Sequence, residues 1–276
     1  MKATCIIASY NQGDTLRRAI ESVLMQQTDF DYQIVIVDDA SCDDSPDIIW
    51  EYAEDNDNID PLLLSENGGI MNTYRIAFGM AHGDYLFWCE SSDYWTDPHK
   101  MQKQVSFMEA NKDVGVCTHR VMTEICGDMI DRSLPSAEAN ARISFDSLLR
   151  GNAYLYAQSY CVRRDTFKKW IDFDMFSRRF AVWDYPMVLE LVRRTRFHQL
   201  PDYCGVFVID GESFTHTFSR QKRLRLILIY NRIRLYFILK YGCKPSILAY
   251  VIYKFAWDIT SIIFRRWCRL YLILKK

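Results

Sequence analysis

The stretch Tyr85-Leu86-Phe87-Trp88-Cys89-Glu90-Ser91-Ser92-Asp93-Tyr94-Trp95 carries the most suggestive chemistry in the chain. An apolar run stops at two acids three positions apart, with small hydroxyl residues between them. A run of this kind, entered through Gly83-Asp84, reads as a buried parallel strand. Acids just past the carboxyl end of such a strand stand where open α/β sheets bind ligands. Two carboxylates converging there suit a divalent cation, and a cation there suits a phosphate.

Two other segments of the same kind precede it. Ala8-Ser9-Tyr10-Asn11-Gln12 closes a first strand and leads into a helix. Its backbone and hydroxyl groups suit a nucleotide, and equally an ordinary polar turn. Val37-Asp38-Asp39-Ala40-Ser41-Cys42-Asp43-Asp44 closes a second strand. Adjacent carboxylates there can accept hydrogen bonds from a base or ribose, or simply form a solvated turn. Asn67-Gly68-Gly69 allows backbone amides to approach a phosphate, although a plain turn has the same composition. No GxGxxG follows the first strand and no GxxxxGK[ST] occurs. Dinucleotide oxidoreductases and P-loop enzymes are therefore disfavoured.

The elements that must position these groups alternate. Strands are expected at Ala3–Ser9, Gln33–Val37, Leu62–Leu64, Tyr85–Cys89 and Val114–Val121. Helices are expected at Thr15–Met25, after Ser45-Pro46, at Met71–Ala81 and after Asp97-Pro98. Ser45 and Asp97 are read as caps, each followed by a first-turn proline. The alternation predicts a doubly wound, mostly parallel sheet with helices on both faces. Further on, Asp128–Ser144 reads as a loop, Ala157–Arg163 as a strand, Tyr185–Arg194 as a helix and Tyr203–Ile209 as a strand.

The bulk properties narrow the class. The 276 residues are 49% hydrophobic and 25% charged, enough for a sizeable core. Nine cysteines without a CxxC pair argue for reduced, buried thiols, not a disulfide frame or zinc site. Those thiols set the expectation of a cytoplasmic protein, and, because the chain enters a strand at once, no signal peptide is expected. Net charge is −1, yet fourteen of the 34 Lys and Arg and only one acid, Asp258, fall within 217–276. The acidic remainder excludes a nucleic-acid groove across the body, and the basic tail needs an anionic partner.

Together, the motifs resemble the family 2 glycosyltransferases, which have the Rossmann-like nucleotide-sugar fold called GT-A. The resemblance runs from Ala3 to about His119 and returns more loosely near Trp183–His216. It rests on Ala8-Ser9-Tyr10-Asn11, Val37-Asp38-Asp39-Ala40-Ser41, Gly83-Asp84-Tyr85-Leu86 and Glu90-Ser91-Ser92-Asp93-Tyr94-Trp95, with Pro98 and Lys100 following.

The resemblance implies donor-binding roles for Ser9, Asn11, Asp38, Asp39, Arg75, Glu90 and Ser92. Asp39, backed by Asp38, would meet the uracil or ribose, and Arg75 would lie beside the nucleotide. It also implies a divalent cation, Mn²⁺ or Mg²⁺, with Glu90, Asp93 and His216 as ligands. Glu90 stands at the first acid of the family's DxD motif and Asp93 at a further acid. Ser92 replaces the second acid, normally the direct metal ligand, and a hydroxyl is a poor substitute for a carboxylate. Trp183-Asp184-Tyr185-Pro186 resembles the segment bearing the catalytic base, which makes Asp184 the base; as a plain residue it also suits a helix N-cap. His82, His119 and His198 take a structural reading.

The implied reaction is inverting transfer of a sugar from a nucleotide-sugar, a UDP-sugar foremost, to a hydroxyl of a glycan or lipid-linked glycan. The implied setting is bacterial surface polysaccharide or lipopolysaccharide synthesis. With Ser92 in place, a non-catalytic module that binds nucleotide-sugar or scaffolds an assembly complex is the alternative. The domain expectation is a GT-A unit over 1–217, divided into a nucleotide half (1–120) and an acceptor half (121–217). A basic amphipathic helical extension follows over 218–276. In it, Lys254, Asp258, Ser261 and Arg265 form a polar stripe opposite Ile247, Leu248, Val251, Ile252, Phe255, Ile259, Ile262 and Ile263. That helix suits either the cytoplasmic face of an inner membrane or packing on the body.

Overall fold

The computed structural model describes residues 1–151, 155–209 and 219–274. His216 lies outside the described residues. The elements are β1 (Ala3–Ser9), α1 (Gly13–Leu24), β2 (Tyr32–Asp38), α2 (Ser45–Asp55), β3 (Ile59–Leu63), α3 (Ile70–Met80) and β4 (Tyr85–Trp88). Next come β5 (Tyr94–Trp95), α4 (Lys100–Ala110), β6 (Val114–Ile125), β7 (Asp128–Asp131), α5 (Ser136–Arg142), α6 (Phe145–Arg150) and β8 (Cys161–Arg163). The rest are α7 (Arg164–Trp170), α8 (Phe173–Arg179), α9 (Asp184–Leu191), β9 (Arg196–Ile209), α10 (Arg220–Tyr241) and α11 (Pro245–Leu274).

The first of two compact units holds 1–143 and 154–208. Its sheet runs β3-β2-β1-β4-β8-β6-β9-β5, with β7 paired to β6. Pairing is parallel across β3-β2-β1-β4. From β4 to β8 to β6 it is antiparallel, as is the β5–β9 pair. Every residue of β1 is buried, so its side chains serve two faces alternately. Ala3, Cys5 and Ile7 pack with Leu16, Ala19, Ile20 and Val23 of α1 and with Met101, Val105 and Met108 of α4. The other face meets α3 and an aromatic cluster: Phe78 lies 5.8 Å from Trp88, 4.5 Å from Phe167 and 4.7 Å from Phe173.

Entry into β4 depends on Gly83. A Cβ there would stand 2.3 Å from the carbonyl carbon of Ala3. The bare backbone lets the Gly83 N–H donate to Thr4 Oγ1 at 2.9 Å, and Thr4 Oγ1 donates to Gln33 Oε1 at 2.7 Å. This stitches β4, β1 and β2 at one level.

Several local expectations are corrected. Ser45 is not a cap: the N-cap position falls to Asp44, and the Ser45 hydroxyl accepts from the Gln12 N–H at 3.1 Å. Helix α4 begins at Lys100, two residues past Pro98, without a side-chain cap. Asp128–Ser144 contains β7 and α5, because β6 runs past Val121 and turns back at Gly127, whose φ is +88°. Ala157–Arg163 is a 3₁₀ turn followed by the short β8.

The second unit gathers 144–153 and 209–276. A helix from mid-chain, α6, therefore joins α10 and α11. Within this unit Phe145 meets Tyr241 edge-on at 5.9 Å, Asp146 pairs with Lys244 at 3.6 Å, and Arg150 lies over Tyr250 at 5.2 Å.

Candidate active site

Parallel pairing brings the carboxyl ends of β1, β2 and β4 to one edge of the sheet, with Ser9 opposite Asp38 in register. The turns after β1 and β2 are tied together there. Asn11 and Ala40 both adopt left-handed backbone, at φ 50° and 60°. For a non-glycine residue this costs roughly 1–2 kcal/mol, so the surroundings must impose it. The Asn11 N–H donates to Ser41 Oγ at 2.8 Å, and Asn11 Oδ1 accepts from the Cys42 N–H at 2.8 Å. Asp38 accepts from the Ser41 N–H at 2.8 Å and from its hydroxyl at 2.5 Å. Asn11 and Asp38 thus brace the crevice wall.

Asp39 is buried, and its two oxygens accept from the Gly68 and Gly69 N–H groups, each at 2.8 Å. The glycine amides that suited a phosphate are thereby directed to Asp39. Gly69 has φ +79°, which glycine adopts without strain. The Ser9 hydroxyl is buried at the same edge and meets no hydrogen-bond partner. Such an orphan is costly unless a ligand or water completes it. Arg75 is exposed on α3 and donates to Asn72 Oδ1 at 2.9 Å.

Beyond β4 the chemistry concentrates. Glu90 Oε1 accepts from the Tyr74 hydroxyl at 2.8 Å. The Tyr74 ring lies 4.5 Å from Trp183, which lies 5.2 Å from Trp88. Asp184 follows Trp183 as the first residue of α9, so the N-cap position belongs to Trp183 and not to Asp184. Burial pushes the Glu90 carboxyl up to about 7, and the neighbouring Asp184 charge adds to the rise. Hydrogen bonds from Tyr74 and Trp183 act in the opposite direction. Asp184 is also raised by burial, while backbone amides at the helix start hold it down. The Asp184 charge is thus felt at Glu90, and two acids of raised proton affinity on separate segments suit the handling of a proton.

The metal reading fares differently. Asp93 is buried and its Oδ1 accepts from the Val208 N–H at 3.0 Å, tying β9 to the loop after β4. Among the described residues no three His, Cys, Asp or Glu side chains gather as a cation site. Glu90 is the one carboxylate not already tied to a backbone amide, Ser92 offers a neutral hydroxyl, and Asp93 Oδ1 is engaged by the Val208 amide. This set does not by itself fit a hard cation. His119 is buried, binds the Arg120 carbonyl through Nδ1 and is pushed down to about 3 by burial. His198 stacks on Phe107 at 4.3 Å.

The family model for glycosyl transferase family 2 matches residues 4–171, more than half of the chain. The chain belongs to glycosyl transferase family 2. Among curated family relatives, the Escherichia coli UDP-Glc:alpha-D-GlcNAc-diphosphoundecaprenol beta-1,3-glucosyltransferase WfaP is 34% identical over 110 residues, 39% of this chain and 41% of that protein. The chain spans about half the length of the curated relatives it matches, 45% and 53% for two of those with the longest matches. Two solved structures share the fold. S. aureus TarS in complex with UDP aligns at TM-score 0.65 and 17% identity, over 91% of this chain and 71% of that one. The mannosyltransferase PcManGT from Pyrobaculum calidifontis, in complex with GDP-Man and Mn²⁺, aligns at 0.66 and 15%, over 95% and 73%.

Within this family member, sequence reading missed Tyr74 as the link between the Glu90 loop and the Trp183-Asp184 segment. The available signal was the apolar spacing of Tyr74 and Phe78, one helical turn apart on the buried side of α3.

Proposed function

We propose that the chain is an inverting glycosyltransferase, moving a sugar from a UDP-sugar to a hydroxyl of a glycan or lipid-linked glycan in bacterial surface polysaccharide synthesis. What supports the reading is Glu90 just past β4, tied through Tyr74 to Trp183, the residue before Asp184, whose charge raises the Glu90 carboxyl. Asp184 acts as the base that takes the acceptor proton as the hydroxyl attacks the anomeric carbon. A carboxylate raised by burial is a better match to that task than an ordinary one. The nucleotide diphosphate leaves on the opposite face of the sugar.

The orphan Ser9 hydroxyl, the exposed Arg75 and the braced Asp38–Asp39 turn support the donor end. The UDP bound to TarS and the UDP-Glc in the name of WfaP favour uridine. The diphosphoundecaprenol acceptor in that name favours a lipid-linked acceptor. Mn²⁺ or Mg²⁺ enters the proposal only with the donor, whose diphosphate oxygens would have to complete its ligand set.

The test is transfer from a panel of UDP-, GDP- and dTDP-sugars, with wild type and Asp184→Asn. Asp184→Asn should lower kcat by about 10²–10⁴-fold and leave UDP affinity within a few-fold. Undiminished turnover removes the base assignment. UDP-sugar binding without turnover on any acceptor would establish the non-catalytic module.

A further inference from the structure

The C-terminal unit turns apolar surface outward. On α10, Leu224, Leu228, Leu235 and Leu239 recur at intervals of four, seven and four, within an arc of about 60°. All four are exposed, Leu239 to 78%. Exposed Arg220 borders the stripe on one side, and exposed Arg225 and Arg232 border it on the other. Helix α10 contains seven Lys or Arg and no acid.

Helix α11 has the same inversion. Leu248, Ile252, Tyr253 and Trp257 are exposed, Trp257 to 59%. Ile247 and Val251 are buried, so the apolar face expected from the sequence is split between inside and outside. The Lys254–Asp258 ion pair is half-buried instead of facing water. A helix that turns aromatic and aliphatic side chains outward, with its charged pair tucked in, marks an interaction surface. Among the described residues no helix is long and apolar enough to cross a membrane.

We propose that α10 docks along its leucine stripe on an anionic lipid bilayer. The four leucines enter the interface, Arg220, Arg225 and Arg232 meet lipid phosphates, and the exposed α11 side chains give the same unit further apolar surface. Charge selects the occupant. A second copy would set the all-basic α10 against itself, and like charges across an interface repel. An anionic headgroup layer satisfies both the arginines and the leucines. The docking is independent of glycosyl transfer and is read without any sugar donor.

The full chain is sedimented with vesicles of phosphatidylcholine, alone or with roughly one third phosphatidylglycerol. Partitioning should rise about ten-fold or more with the anionic lipid and fall as salt is added. The doubles Leu235→Asp/Leu239→Asp and Arg225→Gln/Arg232→Gln should each reduce it about ten-fold, with the thermal midpoint unchanged because these positions are exposed. Equal partitioning to both vesicles overturns the proposal. So does a leucine variant that binds vesicles normally, including one that only converts a dimer to monomer in sedimentation velocity.

Discussion

Tyr74 donates its hydroxyl to Glu90 at 2.8 Å while its ring packs on Trp183, the residue just before the proposed base. One buried phenol therefore ties the loop after β4 to the start of α9. Tyr74→Phe keeps the ring contact and removes only the hydrogen bond. The loss should cost about 1.5–3 kcal/mol, since the acceptor is a carboxylate. It should also move the Glu90 titration further upward, because that bond favours the ionised form. The pH profile of kcat checks this; a profile superposable on wild type would separate Tyr74 from the chemistry.

Glu90 gives stability a defined pH slope. Its folded-state affinity for a proton is raised from 4.5 to about 7, so between those values the folded state holds the proton more often than the unfolded chain. Folding stability therefore falls as pH rises through that window, by an amount on the order of 2 kcal/mol. Glu90→Gln should remove the slope and be the more stable protein at pH 8. Urea denaturation at pH 5, 6.5 and 8 measures it, and parallel slopes in the two proteins would contradict the linkage.

Cation binding should require nucleotide. One carboxylate and one hydroxyl do not compete with water for a hard cation, whereas a diphosphate adds charged oxygens. Calorimetric titration of Mn²⁺ should show no saturable binding below millimolar without UDP and clear saturation with it. Tight binding to the nucleotide-free chain would refute this.

Asp39→Ala should release the Gly68-Gly69 turn. Two charge-assisted bonds from buried amides disappear, so a loss on the order of 3 kcal/mol is expected in chemical denaturation, together with weaker UDP binding. If UDP affinity fell while stability held, Asp39 would instead be acting on the donor directly.

The parallel half of the sheet was legible because its strands are short, apolar and separated by amphipathic helices. Glu90, Asp184 and the two turns could be picked out as side chains at element ends. Their hydrogen-bond partners could not. That Asp39 would hold Gly68 and Gly69, or that Asp93 would hold Val208, depends on contacts between segments 29 and 115 residues apart. The antiparallel half was obscured for a similar reason. Strand β8 has three residues and is defined by neighbours from β4 and β6, so its own sequence carries little period. On α11 the expected division fails: Ile247, seven residues before Lys254, and Val251 lie on the side of the Lys254–Asp258 stripe and are buried there, while Leu248 and Ile252 are exposed.

The helical unit is built from two separated stretches, and that limits how the protein can be shortened. Ending the chain at residue 217 would look harmless on the page, since it removes only a basic tail. It would also strip the partners of Phe145, Asp146 and Arg150 from a helix that stays behind. Trimming meant to improve solubility would then leave a sticky remnant mid-chain, and only removal of both stretches together takes the unit away whole.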